Sequence, residues 1–187
     1  MGRVLKRIGV GVVLLVFVAG FAALLGFKFM QGKIAANMQP PHLELRPEAS
    51  SDLVYRTLDG EQRHLISTKG KVVFLDLWGT WCVQCVAEMP TVQKLYEHYK
   101  NDPQVTFLIV SRLDSPYSVR SYARRNHLSL PFYVMEDEDI PPSMQLNQYP
   151  STFIFSKDGE LVSKHVGAAN WSAPSVILLM DQLKAQR

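Results

Sequence analysis

Both cysteines of the chain lie in one motif, Trp81-Cys82-Val83-Gln84-Cys85. The motif follows an apolar run at residues 71–77 and precedes a stretch with helical spacing. The first turn of a helix carries unpaired backbone N–H groups and the positive end of the helix dipole, and both favour a thiolate at Cys82. Cys85 returns to the same helical face three residues later. A thiolate opens a disulfide through a mixed disulfide, which a second thiol resolves. The motif therefore predicts thiol–disulfide exchange at Cys82 and Cys85.

Metal binding is the main alternative use of two such cysteines. A zinc site would need two further ligands. The five histidines are scattered without ligand spacing, at His42, His64, His98, His127 and His165. We expect neither a zinc site nor a cofactor.

Two acidic residues flank the motif. Asp76 is the only charge inside its apolar run, so burial should raise the pKa of its carboxyl. Glu88 lies three residues after Cys85, on the same helical face.

The surrounding pattern indicates the elements that hold these residues. Apolar runs predict buried strands at 71–77 and 105–110 and a shorter strand at 130–135. Two hairpins are predicted, from strands 53–57 and 64–66 and from strands 152–156 and 161–166, each with Asp-Gly in its turn. Helices are predicted at 82–100, 117–126 and 175–186. This order predicts an α/β domain with a mixed sheet.

The N-terminal segment carries the basic excess of the chain. Its formal charge is +3, and the first 34 residues contain five basic residues and no acid: Arg3, Lys6, Arg7, Lys28 and Lys33. Residues 8–27 have no polar side chain, and a helix of that length would span a hydrocarbon core of roughly 30 Å. We expect residues 1–34 to be a cytoplasmic basic end and transmembrane signal anchor, 35–50 a stalk, and 51–187 the globular domain. A cleaved signal peptide is the alternative.

This arrangement predicts a single-pass protein of the inner membrane, with its catalytic domain on the periplasmic side. Lipid contact through the N-terminal helix follows from it. The domain itself is slightly acidic, so no nucleic acid partner is expected. The charged fraction of 20% and the two cysteines exclude a disordered chain and a disulfide-rich miniprotein.

The chain resembles the membrane-anchored TlpA/ResA-like branch of the thioredoxin superfamily. The resemblance rests on FLDLWGTWCVQCVAEMP, YPSTFIF and KDGELVSKHVG in that order. It implies a thioredoxin-like three-layer fold, a central mixed sheet with helices on both faces. It also implies that Pro150 is a cis proline facing the disulfide, that Tyr149 presents its backbone to an extended substrate, and that Trp81 shapes the docking surface. Either Asp76 or Glu88 would deprotonate Cys85 as the mixed disulfide resolves.

The resemblance also implies a function. We expect a protein-disulfide oxidoreductase that reduces disulfides of exported proteins, with apocytochrome c, and hence cytochrome c biogenesis, as the family's best-known target. A membrane or periplasmic thiol protein would supply the electrons. Alternatives are a disulfide-forming oxidase or isomerase, a thioredoxin-fold peroxidase, and a membrane-tethered Cu(I)-binding module with His165 as a further ligand. Val83-Gln84 between the cysteines and Tyr149 before the proline depart from the usual pattern, so the reduction potential does not follow by analogy.

Overall fold

A computed structural model describes residues 14–23, 25–26, 29, 38–43, 45, 48, 51–136, 141, 144 and 148–186. The chain divides into two units, Met1–Asn37 and Met38–Arg187. In the first unit, residues 14–23 are helical. The basic end predicted at residues 1–7 and half of the predicted stalk lie outside the described residues.

The predicted membrane span is corrected by the structure. Among the described residues, no helix combines the length and the apolar character needed to cross a membrane. Residues 8–13, 24 and 27 of the predicted span lie outside the described part. The prediction of a single-pass protein anchored in the inner membrane is therefore wrong.

The second unit is built on one mixed sheet. In the part of the chain described, its strands are β1 (Val54–Thr57), β2 (Gln62–His64), β3 (Val72–Trp78), β4 (Val105–Arg112), β5 (Phe132–Met135), β6 (Ser151–Phe155) and β7 (Leu161–Val166). They lie in the order β2-β1-β5-β4-β3-β6-β7. Strands β3, β4 and β5 are parallel, whereas β1, β2, β6 and β7 pair antiparallel. The predicted α/β architecture with a mixed sheet is confirmed.

Strand β3 lies at the centre because its sequence suits burial on both faces. All of its residues are buried, and it pairs with β4 on one side and with β6 on the other. Its side chains point alternately into two apolar clusters, one on each face of the sheet. Phe74 and Trp78 belong to the first cluster, and Val73, Leu75 and Leu77 to the second.

The helices are α1 (Val83–Tyr99), α2 (Pro116–Arg125) and α3 (Pro174–Ala185). All three bury apolar side chains in the first cluster, as Met89, Val119 and Leu179 show. The second cluster is closed by Leu53, by Leu65 of a 3₁₀ helix at Leu65–Thr68, and by Met144. Within the described residues, the α-helices therefore lie on one face of the sheet, whereas helices on both faces were expected.

The first hairpin also differs from its prediction. The predicted strand at 64–66 ends at His64, where the 3₁₀ helix begins. The hydroxyls of Ser67 and Thr68 donate to the carbonyls of His64 and Leu65, at 2.5 and 2.7 Å. Such local bonds compete with strand pairing. The turn at Gly60 is confirmed, with a φ of 93° that suits glycine.

Candidate active site at the start of helix α1

The two cysteines are joined in a disulfide at the start of α1. Cys82 is the N-cap residue, and its Sγ accepts a hydrogen bond from the backbone N–H of Cys85 at 3.2 Å. Its own N–H donates to the carbonyl of Gly79 at 3.1 Å, which closes a turn just before the helix. Cys82 is 8% exposed, whereas Cys85 is 0% exposed. The two sulfurs therefore differ in access.

An open groove of about 470 Å³ runs past Cys82. Its lining residues are Cys82, Val83, Gln84, Gln148, Tyr149, Val166 and Gly167. The Tyr149–Pro150 peptide bond is cis, as the resemblance implied. The carbonyl of Pro150 accepts a hydrogen bond from the N–H of Gly167 at 2.9 Å, which joins the two loops on that side of the groove.

Trp81, Tyr149 and Arg112 form a cluster beside the groove. The rings of Trp81 and Tyr149 meet edge to face, with their centroids 5.5 Å apart. The indole Nε1 of Trp81 donates to the Arg112 carbonyl at 3.1 Å. The Arg112 guanidinium donates to the Tyr149 hydroxyl and lies 5.5 Å from the ring centroid. The cluster fixes the tyrosine that precedes the cis proline.

Asp76 lies on β3 and is fully buried. Its Oδ1 accepts a hydrogen bond from the Thr152 hydroxyl at 3.2 Å, whereas its Oδ2 has no partner among the described residues. Burial raises the pKa of Asp76 to about 7, and the Thr152 hydrogen bond opposes that shift. The expected rise in pKa is confirmed.

Glu88 lies on α1 and is also buried. Its Oε2 accepts from the Ala169 N–H at 2.9 Å and from the Trp171 indole at 2.8 Å. Burial and then the negative charge of Asp76 raise the pKa of Glu88 well above its ordinary value, against these two bonds. Its Oε1 has no partner within the described part of the chain.

The two carboxyls share one side of the sheet. Every second residue of a strand points to the same face, so Asp76 lies on the side of β3 that carries Phe74 and Trp78. Both of these residues belong to the cluster that α1 covers. Cys85 belongs to this cluster. The roles of Asp76 and Glu88 in proton transfer stay predictions.

His165, the residue considered as a copper ligand, lies on β7. Its ring contacts Trp171 edge to face at a centroid distance of 5.5 Å. Burial lowers its pKa, against a hydrogen bond with the backbone of His42. No group of three histidine, cysteine or acidic residues could hold a metal ion among the residues described.

Two side chains near the site, Asp114 and Thr91, make contacts that were not predicted from the sequence. Asp114 accepts from Thr80 and Ser111. The Thr91 hydroxyl accepts from the N–H of Trp171 at 3.1 Å and donates to the Glu88 carbonyl at 2.8 Å, with the Ala169 carbonyl further away at 3.2 Å. Asp114 follows the C-terminal end of a parallel strand, where α/β folds commonly place functional residues. That position was the feature of the sequence from which a role for Asp114 could have been predicted.

Comparison with known proteins agrees with this site. The Redoxin family matches residues 41–177. A thiol-disulfide oxidoreductase ResA of Bacillus cereus is 30% identical over 142 residues, which cover 76% of this chain and 79% of that protein.

Two solved structures resemble the fold. StoA of Bacillus subtilis matches with a TM-score of 0.55 and 22% identity, over 74% of this chain and 97% of that one. A thiol:disulfide interchange protein of the thioredoxin family from Chlorobium tepidum TLS matches with a TM-score of 0.58 and 20% identity, over 75% and 99%. These likenesses confirm a thioredoxin-like fold.

Proposed function

Since the chain belongs to the Redoxin family and is a ResA-like thiol-disulfide oxidoreductase of the thioredoxin superfamily, we propose that it reduces disulfide bonds in protein substrates. The observation that carries this proposal is the unequal access of its two sulfurs. Cys82 lines an open groove at the N-terminus of a helix, and Cys85 is buried behind it. A substrate disulfide can therefore approach Cys82 and not Cys85.

The reaction starts from the dithiol form of the protein. The Cys82 thiolate attacks one sulfur of the substrate disulfide, forms a mixed disulfide and releases the other substrate sulfur as a thiolate. Cys85 then loses its proton and attacks Cys82, which restores the Cys82–Cys85 disulfide and releases the second substrate thiol. The substrate gains two electrons and the protein loses two. A dithiol protein partner returns them by the same exchange.

Proton transfer from Cys85 falls to Asp76 or Glu88. A general base works best when its pKa lies near the working pH, and the pKa of about 7 at Asp76 meets that condition. Burial and the Asp76 charge both disfavour the ionised form of Glu88, so its carboxyl holds its proton more firmly than an ordinary glutamate does. We therefore favour Asp76 as the acceptor.

The groove suits an extended substrate segment. One wall carries Gln148 and Tyr149, the two residues before the cis Pro150, and the backbone groups of that loop would pair with such a segment beside Cys82. The resemblance makes apocytochrome c, through its Cys-x-x-Cys-His segment, the first substrate to test. A peptide of that sequence, oxidised between its cysteines, is a suitable probe.

Trapping tests the order of attack. Cys85→Ser should accumulate a mixed disulfide on Cys82 with the oxidised peptide, seen as a mass increase that dithiothreitol removes. Cys82→Ser is the matched control and should accumulate none. Adducts on Cys82→Ser alone would reverse the assigned roles, and adducts on neither variant would contradict the exchange mechanism.

The direction of electron flow is tested by the reduction potential of the Cys82/Cys85 couple in a glutathione or dithiothreitol buffer series. We expect a value nearer the roughly −270 mV of thioredoxin than the roughly −120 mV of strong oxidants. A value near the oxidant end would make the protein a disulfide-forming oxidase.

A further inference from the structure

We propose that Asp114 is a positioning residue of the thiol–disulfide centre, acting through Thr80 on the turn that places Cys82. Its carboxylate ties this turn to the end of β4. The proposal rests on Cys82 being the attacking thiol, as proposed above.

Both oxygens of the Asp114 carboxylate are engaged. Oδ2 accepts from the backbone N–H of Thr80 at 2.7 Å and from the Ser111 hydroxyl at 2.6 Å. Oδ1 accepts from the Thr80 hydroxyl at 2.7 Å. Thr80 therefore binds through its main chain and its side chain, which fixes both the position and the orientation of one residue in the turn.

Ser111, which binds the Asp114 carboxylate from β4, lies in the core of the sheet. Ser111 is fully buried and pairs with Trp78 in the register of β4 against β3. The carboxylate thus connects the turn at residues 79–82 to the centre of the sheet. A second link runs in parallel, because the Trp81 indole donates to the carbonyl of Arg112.

The backbone conformation of Leu113 supports a functional role for the Asp114 hydrogen bonds. It adopts a φ of 62°, in the left-handed region that bulky residues rarely enter. Its side chain is 67% exposed, so packing of the leucine does not account for the conformation. Strained backbone persists where surrounding contacts impose it and clusters at functional sites. The contacts that hold the Leu113 backbone in this conformation are the hydrogen bonds of Asp114, the next residue in the chain.

The chemical consequence is felt at Cys82. Its thiolate would be stabilised by the start of α1, where Sγ already accepts from the Cys85 N–H. That stabilisation requires Cys82 to stay at the N-cap position, and the preceding turn holds it there through the bond from its N–H to Gly79. Loosening the turn should raise the pKa of the Cys82 thiol. The negative charge of Asp114 acts oppositely, because removing an anion alone would lower that pKa.

Loosening the turn and removing the Asp114 charge should shift the Cys82 pKa in opposite directions, so a titration distinguishes the two effects. We would work in the Cys85→Ser background, where Cys82 is the remaining cysteine of the chain, and follow thiolate absorbance near 240 nm against pH. Thr80→Val removes one bond to Asp114 without changing charge. It should raise the Cys82 pKa by about half a unit, roughly a threefold loss in the acid dissociation constant. Thr80→Ser keeps the hydroxyl and should behave as the parent does.

Asp114→Asn should also raise the pKa, and adding Thr80→Val to it should have little further effect. Asp158→Asn, an exposed acid in the turn between β6 and β7, is the charge control and should shift nothing. A lower pKa in Asp114→Asn with no change in Thr80→Val would reveal a charge effect and overturn the proposal. Unchanged values in both would also overturn it.

The readout separates this proposal from the proposed function. It needs no substrate, so a failed trapping experiment leaves the titration interpretable. Conversely, an unchanged titration leaves the exchange mechanism standing. If Asp114→Asn fails to fold, the comparison of Thr80→Val with Thr80→Ser still decides the matter, because both keep the carboxylate.

Discussion

At the scale of single residues, the least common feature is a carboxyl buried in the central strand with one hydrogen bond. Folding takes Asp76 from water, where its pKa is 3.8, to a site where burial raises the pKa to about 7. Between these values the folded protein holds a proton that the unfolded chain releases. Stability therefore falls as the pH rises from about 4 to about 7, and the loss is complete above that range.

Asp76→Asn should remove this penalty. The rise of about three units corresponds to roughly 4 kcal/mol at most above neutral pH, at 1.36 kcal/mol per unit. From pH 5 to pH 8 we expect the stability of Asp76→Asn to improve relative to the parent by about 3 kcal/mol. Urea unfolding of both proteins in the disulfide form, at both pH values, measures this difference.

The pH comparison contains its own control. Changes in packing from the substitution are the same at pH 5 and pH 8, so they cancel in the difference. The pKa of Glu88 also falls once the Asp76 charge is gone, and this adds to the difference with the same sign. The disulfide form is needed because its sulfurs do not titrate. A difference between variant and parent that is constant over this range would show that Asp76 is already ionised at pH 5.

The candidate active-site residues were the easiest to pick out from the sequence. Cys82, Cys85 and Asp76 each stand out locally, as the only cysteines and as an acid within an apolar strand. The contact between Arg112 and Tyr149 could not be predicted in this way. It joins two segments that are separated in the chain, and its formation depends on which loops the sheet brings to the same edge.

At the scale of elements, α1 is bonded to the segment between β7 and α3. Glu88 accepts from the Ala169 N–H and the Trp171 indole, and the Thr91 hydroxyl accepts from the Trp171 N–H. These bonds lie one turn apart on the buried face of α1. They hold the helix that carries the disulfide against the segment that begins at Gly167, in the groove wall.

Glu88→Ala should loosen this connection. It leaves the Ala169 N–H and the Trp171 indole buried without an acceptor, and each such donor costs about 1–3 kcal/mol. We expect the free energy of unfolding at pH 7 to fall by about 2–5 kcal/mol. Glu88→Gln is the matched control, because its amide oxygen can still accept both bonds; it should stay within about 1 kcal/mol of the parent. Equal losses in the two variants, measured by urea unfolding, would mean that these bonds contribute little.

Helices and strands were largely predictable, whereas their placement was not. The helices predicted at 82–100, 117–126 and 175–186 correspond to α1, α2 and α3 within a few residues. Hydrophobic periodicity indicates that a helix has an apolar side, but it does not indicate which face of the sheet that side covers. The expectation of helices on both faces came from the resemblance, and the described helices lie on one.

At the scale of the whole molecule, a single sheet separates the two apolar clusters. Strands β3 and β4 contribute to both, because their side chains alternate between the faces. Leu108 and Ile109 are neighbours on β4, both buried, and point to opposite clusters. A strand released on one face is released on the other, so both clusters should unfold together.

Leu108→Ala and Ile109→Ala test this cooperativity as a matched pair. Each should lower the free energy of unfolding by about 2–5 kcal/mol, through lost burial and the cavity left behind. Tryptophan fluorescence reports mainly the first cluster, where Trp78 and Trp171 are buried, whereas far-ultraviolet circular dichroism reports the whole sheet. If the molecule is one cooperative unit, both signals should move together in both variants, with an unchanged urea slope. A fluorescence midpoint that stays at the parent value in Leu108→Ala, while the circular dichroism midpoint falls, would mean that the two faces unfold separately.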